Sequence, residues 1–342
     1  MKNTTEPSKC ILLTGGTGYI GSHTAIVLAE AGYQVVLYDN LCNSSSSVVD
    51  RLQNITAQRM CFVQGDIRDT ELLVQTLQAH QVGAVIHFAG LKAVGESVAK
   101  PIDYYANNVQ GTISLLQAMQ ATNIKTLIFS SSAAVYGNPQ YLPIDEAHPT
   151  SPTNPYGRSK LQIEEMLSDL AVSDEAWRIA CLRYFNAVGA HKSGLIGEAS
   201  CGVPDNLMPY VAQVACGRLP HLNIFGNDYP TPDGTGVRDY IHVMDIADGH
   251  LSAMNFLDTE TGWHPINLGT GQGYSVLEMV KAFEAASGTL ISYEYSPPRP
   301  GDIATCIAKV EEAEKLLKWR ASRGLNEMCS TAWCWQVNKV EL

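Results

Sequence analysis

The stretch CILLTGGTGYIG, residues 10–21, decides the fold. A short apolar run, Cys10 to Thr14, breaks into glycines, and a helical pattern opens from about Gly18. A strand that turns through glycines into a helix gathers backbone N–H groups and the positive helix end at one point. Gly15, Gly18 and Gly21 let the turn close, bring those N–H groups against a pyrophosphate and permit close helix packing. The spacing is G-x-x-G-x-x-G, one residue longer than the commoner fingerprint, and taken alone such a turn is weak. Its context is stronger. The next strand, QVVLY, ends at Asp39, about twenty residues on. A carboxylate there accepts hydrogen bonds from the adenosine ribose and repels a 2'-phosphate, so NAD is expected rather than NADP.

Working outward, MCFVQ, AVIHF and TLIFSSS follow as further short apolar runs, each separated from the next by helical periodicity. This βαβ rhythm predicts an α/β fold with a doubly wound parallel sheet, Rossmann-like. Asp66-Ile67 and Phe88-Ala89 fall at carboxyl ends of such strands, where ligands sit in doubly wound sheets. Ser44 to Ser47 reads as a polar loop. After IACLRYF, residues 179–185, the rhythm breaks into pieces rich in Gly and Pro, such as GVPDN, FGNDYPTPDGTG and SPPRPGD. These predict a smaller C-terminal substrate-binding lobe over 186–338 beside an NAD-binding domain over 10–185. PINLG, residues 265–269, reads as a strand returning to the large sheet, so segments around 240–270 are expected to rejoin the first domain.

With 342 residues, 45% hydrophobic and 17% charged, the composition is that of a soluble globular protein with one large core or two modest ones. A formal net charge of −11 leaves no global cationic field, which argues against nucleic acid and anionic membrane as partners. Nine cysteines, an odd count without CxxC spacing, fit reduced thiols, and no His residues sit at zinc-ligand spacing beside them, so no metal is expected. MKNTTEPSKC is polar where a signal peptide needs an apolar region, and no run long enough to span a bilayer follows. The expected location is the cytoplasm, and Asn3-Thr4-Thr5, Asn43-Ser44-Ser45 and Asn54-Ile55-Thr56 are then chance glycosylation patterns.

NPYGRSK, residues 154–160, places Tyr156 four residues before Lys160 at the start of a helix. On one helical face the ammonium favours phenolate over phenol, although an isolated Tyr-x-x-x-Lys is far more often a surface tyrosine on a lysine stem. TLIFSSS ends a strand of the same sheet, so Ser130 to Ser132 emerge at the edge that carries the glycine turn. A serine there can hold or relay the proton of an alcohol while Tyr156 acts as general base.

TGGTGYIGSH, HFAGLKAVGES, SSSAAVYG, NPYGRSK, LRYFNAVGAH and GNDYPTPDGTGVRDYIHVMDIADGH resemble the extended short-chain dehydrogenase/reductase family, and within it the UDP-glucose 4-epimerases, from about residue 10 to 338. The resemblance implies Ser132, Tyr156 and Lys160 as the catalytic trio. It implies bound NAD, contacted also by Tyr19, Ile20, Asn40, Lys92, Asn107 and Tyr184. Tyr156 would take the C4 hydroxyl proton of a UDP-sugar, hydride would pass to NAD, and the 4-keto sugar would turn over before hydride returns to its other face. Arg238 and Arg299 fit the pyrophosphate, and Asn186, Asn206, Leu207, Asn223, Phe225 and Asp302 fall where the family contacts the nucleotide sugar. The family also suggests a homodimer paired through helices near 101–121 and 156–170, although apolar positions such as Ile113, Leu116, Leu161 and Met166 are by themselves more often core than interface.

Two positions depart from the family pattern. Ala134 stands where a Thr is frequent, which bears on sugar positioning more than on chemistry. Cys306 stands where epimerases restricted to UDP-glucose and UDP-galactose carry a bulky Tyr. A small wall residue leaves room for an N-acetyl group, so use of UDP-GlcNAc and UDP-GalNAc is expected; Cys306 as simple packing is the other reading. Two rival functions remain: a nucleotide-sugar 4,6-dehydratase, which needs an acidic pair where Ala133 and Ala134 stand, and a non-catalytic NAD-sensing regulator, which needs no intact trio.

Overall fold

The computed structural model describes residues 9–199, 204, 206–299 and 302–341. Asn3-Thr4-Thr5, three residues of GVPDN (Gly202, Val203, Asp205) and Pro300-Gly301 of SPPRPGD lie outside the described residues. Internal contacts divide the chain into two units: Met1–Ser131, Asn154–Leu182 and Ala253–Pro265 form the first, and Ser132–Thr153, Arg183–Ser252 and Ile266–Leu342 the second.

In the first unit the chain runs β1 (Cys10–Thr14), α1 (Tyr19–Glu30), β2 (Gln34–Asp39), α2 (Ser47–Thr56), β3 (Cys61–Gln64), α3 (Thr70–Ala79), β4 (Ala84–His87), α4 (Val94–Ala99) and α5 (Pro101–Tyr104). A π-turn over Tyr105–Val109 then leads into α6 (Gln110–Ala121), β5 (Thr126–Ser132), α7 (Pro155–Ser173) and β6 (Arg178–Tyr184). The polar loop read over Ser44 to Ser47 is shorter than its sequence suggests, because α2 begins at Ser47.

The second unit adds β7 (Asn186–Val188), α8 (Leu207–Ala215), β8 (Leu222–Phe225), β9 (Val237–His242), α9 (Val243–Leu257) and β10 (Gly262–Leu268). β11 (Gly273–Ser275), α10 (Val276–Ser287), β12 (Tyr293–Ser296), β13 (Thr305–Cys306), α11 (Glu311–Leu317) and α12 (Leu325–Glu341) complete it. The last residues of β5, β6 and β10 and the first ten of α9 are counted with the second unit.

Seven strands form one sheet in the order β10-β6-β5-β4-β1-β2-β3. β1 pairs parallel with β2 and β4, β2 with β3, and β4 with β5. From β1 the chain winds one way to β3 and the other way from β4, so the strand order reverses between β1 and β4. Doubly wound sheets bind ligands outside the carboxyl ends of the strands at such a reversal. Every residue of β1 is buried because it has neighbours on both sides, whereas β3 at the edge is partly exposed. Leu12, Val85, Leu127 and Phe129 from the sheet meet Leu115 and Leu167 from α6 and α7 in one core, each 0% exposed.

In the second unit β9 is flanked by β11 and β13 and also pairs with β7. Its core gathers Val211, Met279, Phe283 and Met328 from α8, α10 and α12 around Ile224 and Tyr240. α10 starts with a capping box, Ser275 and Glu278 each accepting the other's backbone N–H, and ends at Gly288, φ 69°. No described helix is long and apolar enough to cross a membrane. Among the described residues no group of three or more His, Cys, Asp or Glu is placed to hold a metal ion.

Candidate active site

The glycine turn fits a dinucleotide by the space it leaves. Gly15 has φ +67°, and a Cβ there would lie 2.6 Å from Ala89 N, so the turn after β1 and the loop after β4 touch at the switch point. A Cβ on Gly21 would meet Gly15 O at 2.4 Å, and Gly18 caps α1 without a side chain. The helix N-terminus is thus bare backbone, as close approach of a pyrophosphate requires. Tyr19 and Ile20 open α1; the exposed Lys92 holds its ammonium 6.0 Å from the Tyr19 ring centroid.

Asp39 closes β2 and is 7% exposed. Its Oδ2 accepts from Thr17 N at 3.2 Å, and its Oδ1 from Leu41 N at 2.9 Å and Ser44 Oγ at 3.2 Å. Thr17 Oγ1 and Ser44 Oγ are in turn 2.8 Å apart, so the Asp39 carboxylate staples the glycine turn to the loop after β2. Asn40 Nδ2 donates to Asp66 Oδ2 at 3.3 Å. Arg68 grips the Asp66 carboxylate with two bonds of 2.8 Å, which holds that carboxyl well below the usual range. Ile67, the next residue, is buried in the core, 4% exposed.

Tyr156 and Lys160 stand in the first turns of α7 because Asn154 caps it: its Oδ1 accepts from Gly157 N at 2.9 Å, with Pro155 in the first helical position. Lys160 is 4% exposed. Its Nζ donates to Ser130 O on β5 at 2.7 Å and lies 5.9 Å from the Tyr156 ring centroid and 4.8 Å from that of Phe129. Burial pulls the ammonium down to about 8, with Glu164 acting in the opposite direction. Ser132, two residues beyond the carbonyl that Lys160 holds, is half-buried and caps a short 3-10 turn, its Oγ accepting from Ala134 N at 3.1 Å. The hydroxyl proton is then the part of that group left to donate. Ala134 itself lies inside the turn.

A buried polar chain under this edge had no signal in the sequence. Thr112 donates to Asn108 O at 2.7 Å, so its oxygen must accept from His87 Nε2 at 2.9 Å. That leaves His87 Nδ1 as acceptor for the Thr14 hydroxyl at 2.7 Å. Burial holds His87 neutral, down to about 3, and the nearby Lys160 adds to the effect. Asn108, 1% exposed, sits on the π-turn. Its side chain exchanges bonds with Leu91 N and O at 2.8 and 3.0 Å, accepts from Asn107 Nδ2 at 3.0 Å and donates to Ser159 Oγ at 3.0 Å. Ser159 donates to Tyr156 O at 2.7 Å. The π-turn, an irregularity frequent at functional sites, thereby ties the loop after β4 to α7.

The remaining candidates lie in the second unit. Tyr184, at the end of β6, meets His250 Nε2 at 2.6 Å; Ile246 O takes the Nδ1 proton, so the phenol donates. Arg238 on β9 stands opposite Cys306 on β13 in parallel register. Arg238 Nη1 donates to Val237 O at 2.9 Å, one use of a fork with five donors. Cys306 is 9% exposed, and burial pushes its thiol up to about 11. Arg299 stacks its guanidinium 4.5 Å from the Phe225 ring centroid and pairs with Asp302 at 3.2 Å. Asn223 precedes Phe225 by two residues on β8, and Asn206 caps α8, whose first residue is Leu207. Asn206 Nδ2 donates to Glu198 at 2.8 Å, and Asn186 opens β7, exposed.

Known proteins give this arrangement its class. Residues 12–332 match the family described as GDP-mannose 4,6 dehydratase, so the protein is an extended short-chain dehydrogenase/reductase. The chain is 54% identical over 330 residues, 96% of its length, to the UDP-glucose 4-epimerase of Bacillus subtilis, of which 97% is covered. Its structure is similar to that of the UDP-glucose 4-epimerase from Stenotrophomonas maltophila with bound NAD and formylated UDP-arabinopyranose, with TM-score 0.95, 50% identity and coverage of 97% and 98% of the two chains. The enzyme from Bifidobacterium longum in complex with NAD+ and UDP is similar too, with TM-score 0.94, 51% identity and coverage of 97% and 99%. The chain belongs to the UDP-glucose 4-epimerase family.

Proposed function

We propose that the protein interconverts UDP-sugars that differ in configuration at C4, by transient oxidation with tightly bound NAD. The observation that carries this reading is Lys160, buried, hydrogen-bonded to Ser130 O and one helical turn from Tyr156. In a member of this family that pair is an acid-base device for a sugar hydroxyl.

Tyr156 takes the C4 hydroxyl proton and later returns it, while Lys160 favours the phenolate. Ser132, with its proton left to donate, holds the sugar oxygen. NAD, held by Gly15, Gly18, Tyr19, Ile20, Gly21, Asp39, Asn40, Asp66, Ile67, Phe88, Ala89, Lys92, Asn107 and Tyr184, supplies the acceptor and then the donor of the C4 hydride. The 4-keto sugar must expose its other face before hydride returns, so the sugar is held loosely and the UDP firmly. Arg238 and Arg299 bind the pyrophosphate, where guanidinium forks match phosphate oxygens. Asn186, Asn206, Leu207, Asn223, Phe225 and Asp302 line the nucleotide-sugar site, and Cys306, small at its wall, admits a C2 N-acetyl group. Activity therefore extends to UDP-GlcNAc and UDP-GalNAc. We assign NAD mainly to residues 10–185, with segments near 240–270 returning to that domain, and the UDP-sugar mainly to 186–338. The dehydratase reading lacks support because Ala133 and Ala134 follow Ser132 where elimination needs an acid.

A homodimer fits the exposed apolar residues Val98, Ile102 and Ile113, 64%, 75% and 40% exposed, along α4 to α6. Light scattering of the purified protein should give twice the chain mass; a monomer mass refutes the dimer. A cytoplasmic location fits the odd cysteine count without CxxC spacing.

The test of function is incubation of the purified protein, with no added cofactor, with UDP-galactose and UDP-GalNAc separately, products being resolved by chromatography. Conversion of both is expected. Conversion of UDP-galactose alone removes the wide pocket, and conversion of neither, even with NAD restored, removes the epimerase reading.

A further inference from the structure

Behind Tyr156 and Lys160 lies a buried carboxylate to which the chemistry above gives no task. Glu164 stands one helical turn beyond Lys160 on α7 and is 1% exposed. A carboxylate so far removed from water is costly unless it is paired. Its Oε1 accepts from Ser131 Oγ at 2.5 Å, and Ser131 is also 1% exposed. One turn earlier Lys160 Nζ donates to Ser130 O at 2.7 Å. Two successive turns of α7 therefore hold two successive residues of β5, the strand whose next residue is Ser132. Tyr156, Lys160 and Glu164, spaced by four, form one stripe on the helix.

We propose that Glu164 is a positioning residue for proton transfer: its bond to Ser131 fixes α7 in register on β5, and its carboxylate stands one helical turn beyond Lys160 on the same stripe. The inference rests on the reading of Tyr156 and Lys160 as the proton-transfer pair. Burial lowers the hold of Lys160 on its proton, and Glu164 is the group that opposes it. The other groups about the pair are His87 on β4, which burial keeps neutral, Phe129 on β5, Tyr156 itself, and Tyr104 on α5, whose phenol is pushed up by burial and by Glu96. Of these and Glu164, Glu164 is the carboxylate placed on the same helix as the ammonium. Without its charge, burial acts unopposed, Lys160 gives up its proton at lower pH, and the alkaline limb of the rate moves acid-ward.

The experiment is kcat for UDP-galactose against pH, on the NAD-loaded protein, for the native chain and for Glu164→Gln, Glu164→Asp and Lys160→Met. Gln keeps an acceptor for Ser131 and removes the charge, so its alkaline limb should move acid-ward by about one pH unit while KM stays within about twofold. Asp keeps the charge and withdraws the carboxylate by one methylene, so its limb should stay in place while kcat falls roughly tenfold. A Gln profile superimposed on the native one overturns the proposal, as does an Asp limb displaced as far as that of Gln. If circular dichroism shows the Gln variant unfolded, an Asp limb in place with kcat roughly tenfold lower supports the proposal, and an Asp variant with native kcat or an acid-ward limb overturns it. Lys160→Met separates the two readings. Native activity in that variant removes the proton-transfer pair and the inference with it; loss of activity there beside an unmoved Gln limb removes the inference alone.

Discussion

Arg238 and Cys306 face each other across adjacent parallel strands, β9 and β13. The residue proposed to grip the pyrophosphate and the residue proposed to set pocket width are therefore neighbours on one rigid sheet. A change of volume at Cys306 is felt beside a fixed phosphate anchor, so it should alter which sugars fit more than how tightly UDP is held.

Cys306→Tyr is accordingly expected to abolish turnover of the N-acetylated pair while UDP-galactose conversion stays within about threefold of native. Parallel assays on the two substrates check this. Equal loss on both, or loss on neither, removes the assignment.

Replacing Tyr156 by Phe deletes one oxygen and leaves Asn154, Lys160 and the glycine turn in place. General acid-base groups contribute about 10²–10⁴ in rate, so kcat should fall by that order with NAD still bound. Chromatographic turnover and the NAD content of the denatured protein report the two quantities. A variant that keeps native turnover would remove Tyr156 as the general base.

His87 and His250 are 1% and 0% exposed, and burial holds them at about 3 and about 4 against the ordinary 6.5. Between those values and 6.5 the unfolded chain binds protons that the native chain does not. Stability is therefore fully present above pH 6.5 and is lost as pH falls towards 4, with a slope of at most about 1.4 kcal/mol per pH unit for each histidine. Tm measured from pH 7 to 4 should decline, and His250→Gln should flatten part of the decline. A slope unaltered by that change would exclude His250 as a contributor.

Asn154→Ala removes the side-chain cap from Gly157 N and should cost about 1 kcal/mol, read from the midpoint of urea unfolding. Tyr156 lies in the turn that frays, so kcat should fall as well, and Asn154→Asp, which retains an acceptor, should restore both. A midpoint unmoved by Ala would show that Pro155 and packing suffice to start α7.

Much of the fold is legible because its signals are local. Cys10–Thr14, the glycines and Asp39 announce strand, turn, helix and strand within about thirty residues. Asn154 and Pro155 mark the start of α7 as plainly. The order of the seven strands is not readable in this way, since β10 comes to lie beside β6 through pairing between distant segments. The stretch 101–121 reads as one helix, yet it breaks into α5, the π-turn and α6. No periodicity announces that extra residue, because the turn is supported by tertiary bonds of Asn108 to Leu91 and Ser159. His87 is silent for a related reason: its partners Thr14 and Thr112 are 73 and 25 residues away in the chain. Glu164 had a readable clue in its spacing from Lys160, but its burial and its bond to Ser131 appear only in three dimensions.

The three hydrogen bonds that Asp39 accepts from Thr17, Leu41 and Ser44 bear on coenzyme redesign. Exchanging this carboxylate for a neutral side chain, the obvious first step towards a phosphorylated dinucleotide, would unfasten the glycine turn at the same moment that it relieved the repulsion. Directed evolution towards the other coenzyme should therefore pass first through substitutions at Thr17 or Ser44 that re-anchor the two loops. With Asp39 in its proposed place beside the ribose, the choice of coenzyme and the shape of its cradle are inherited together.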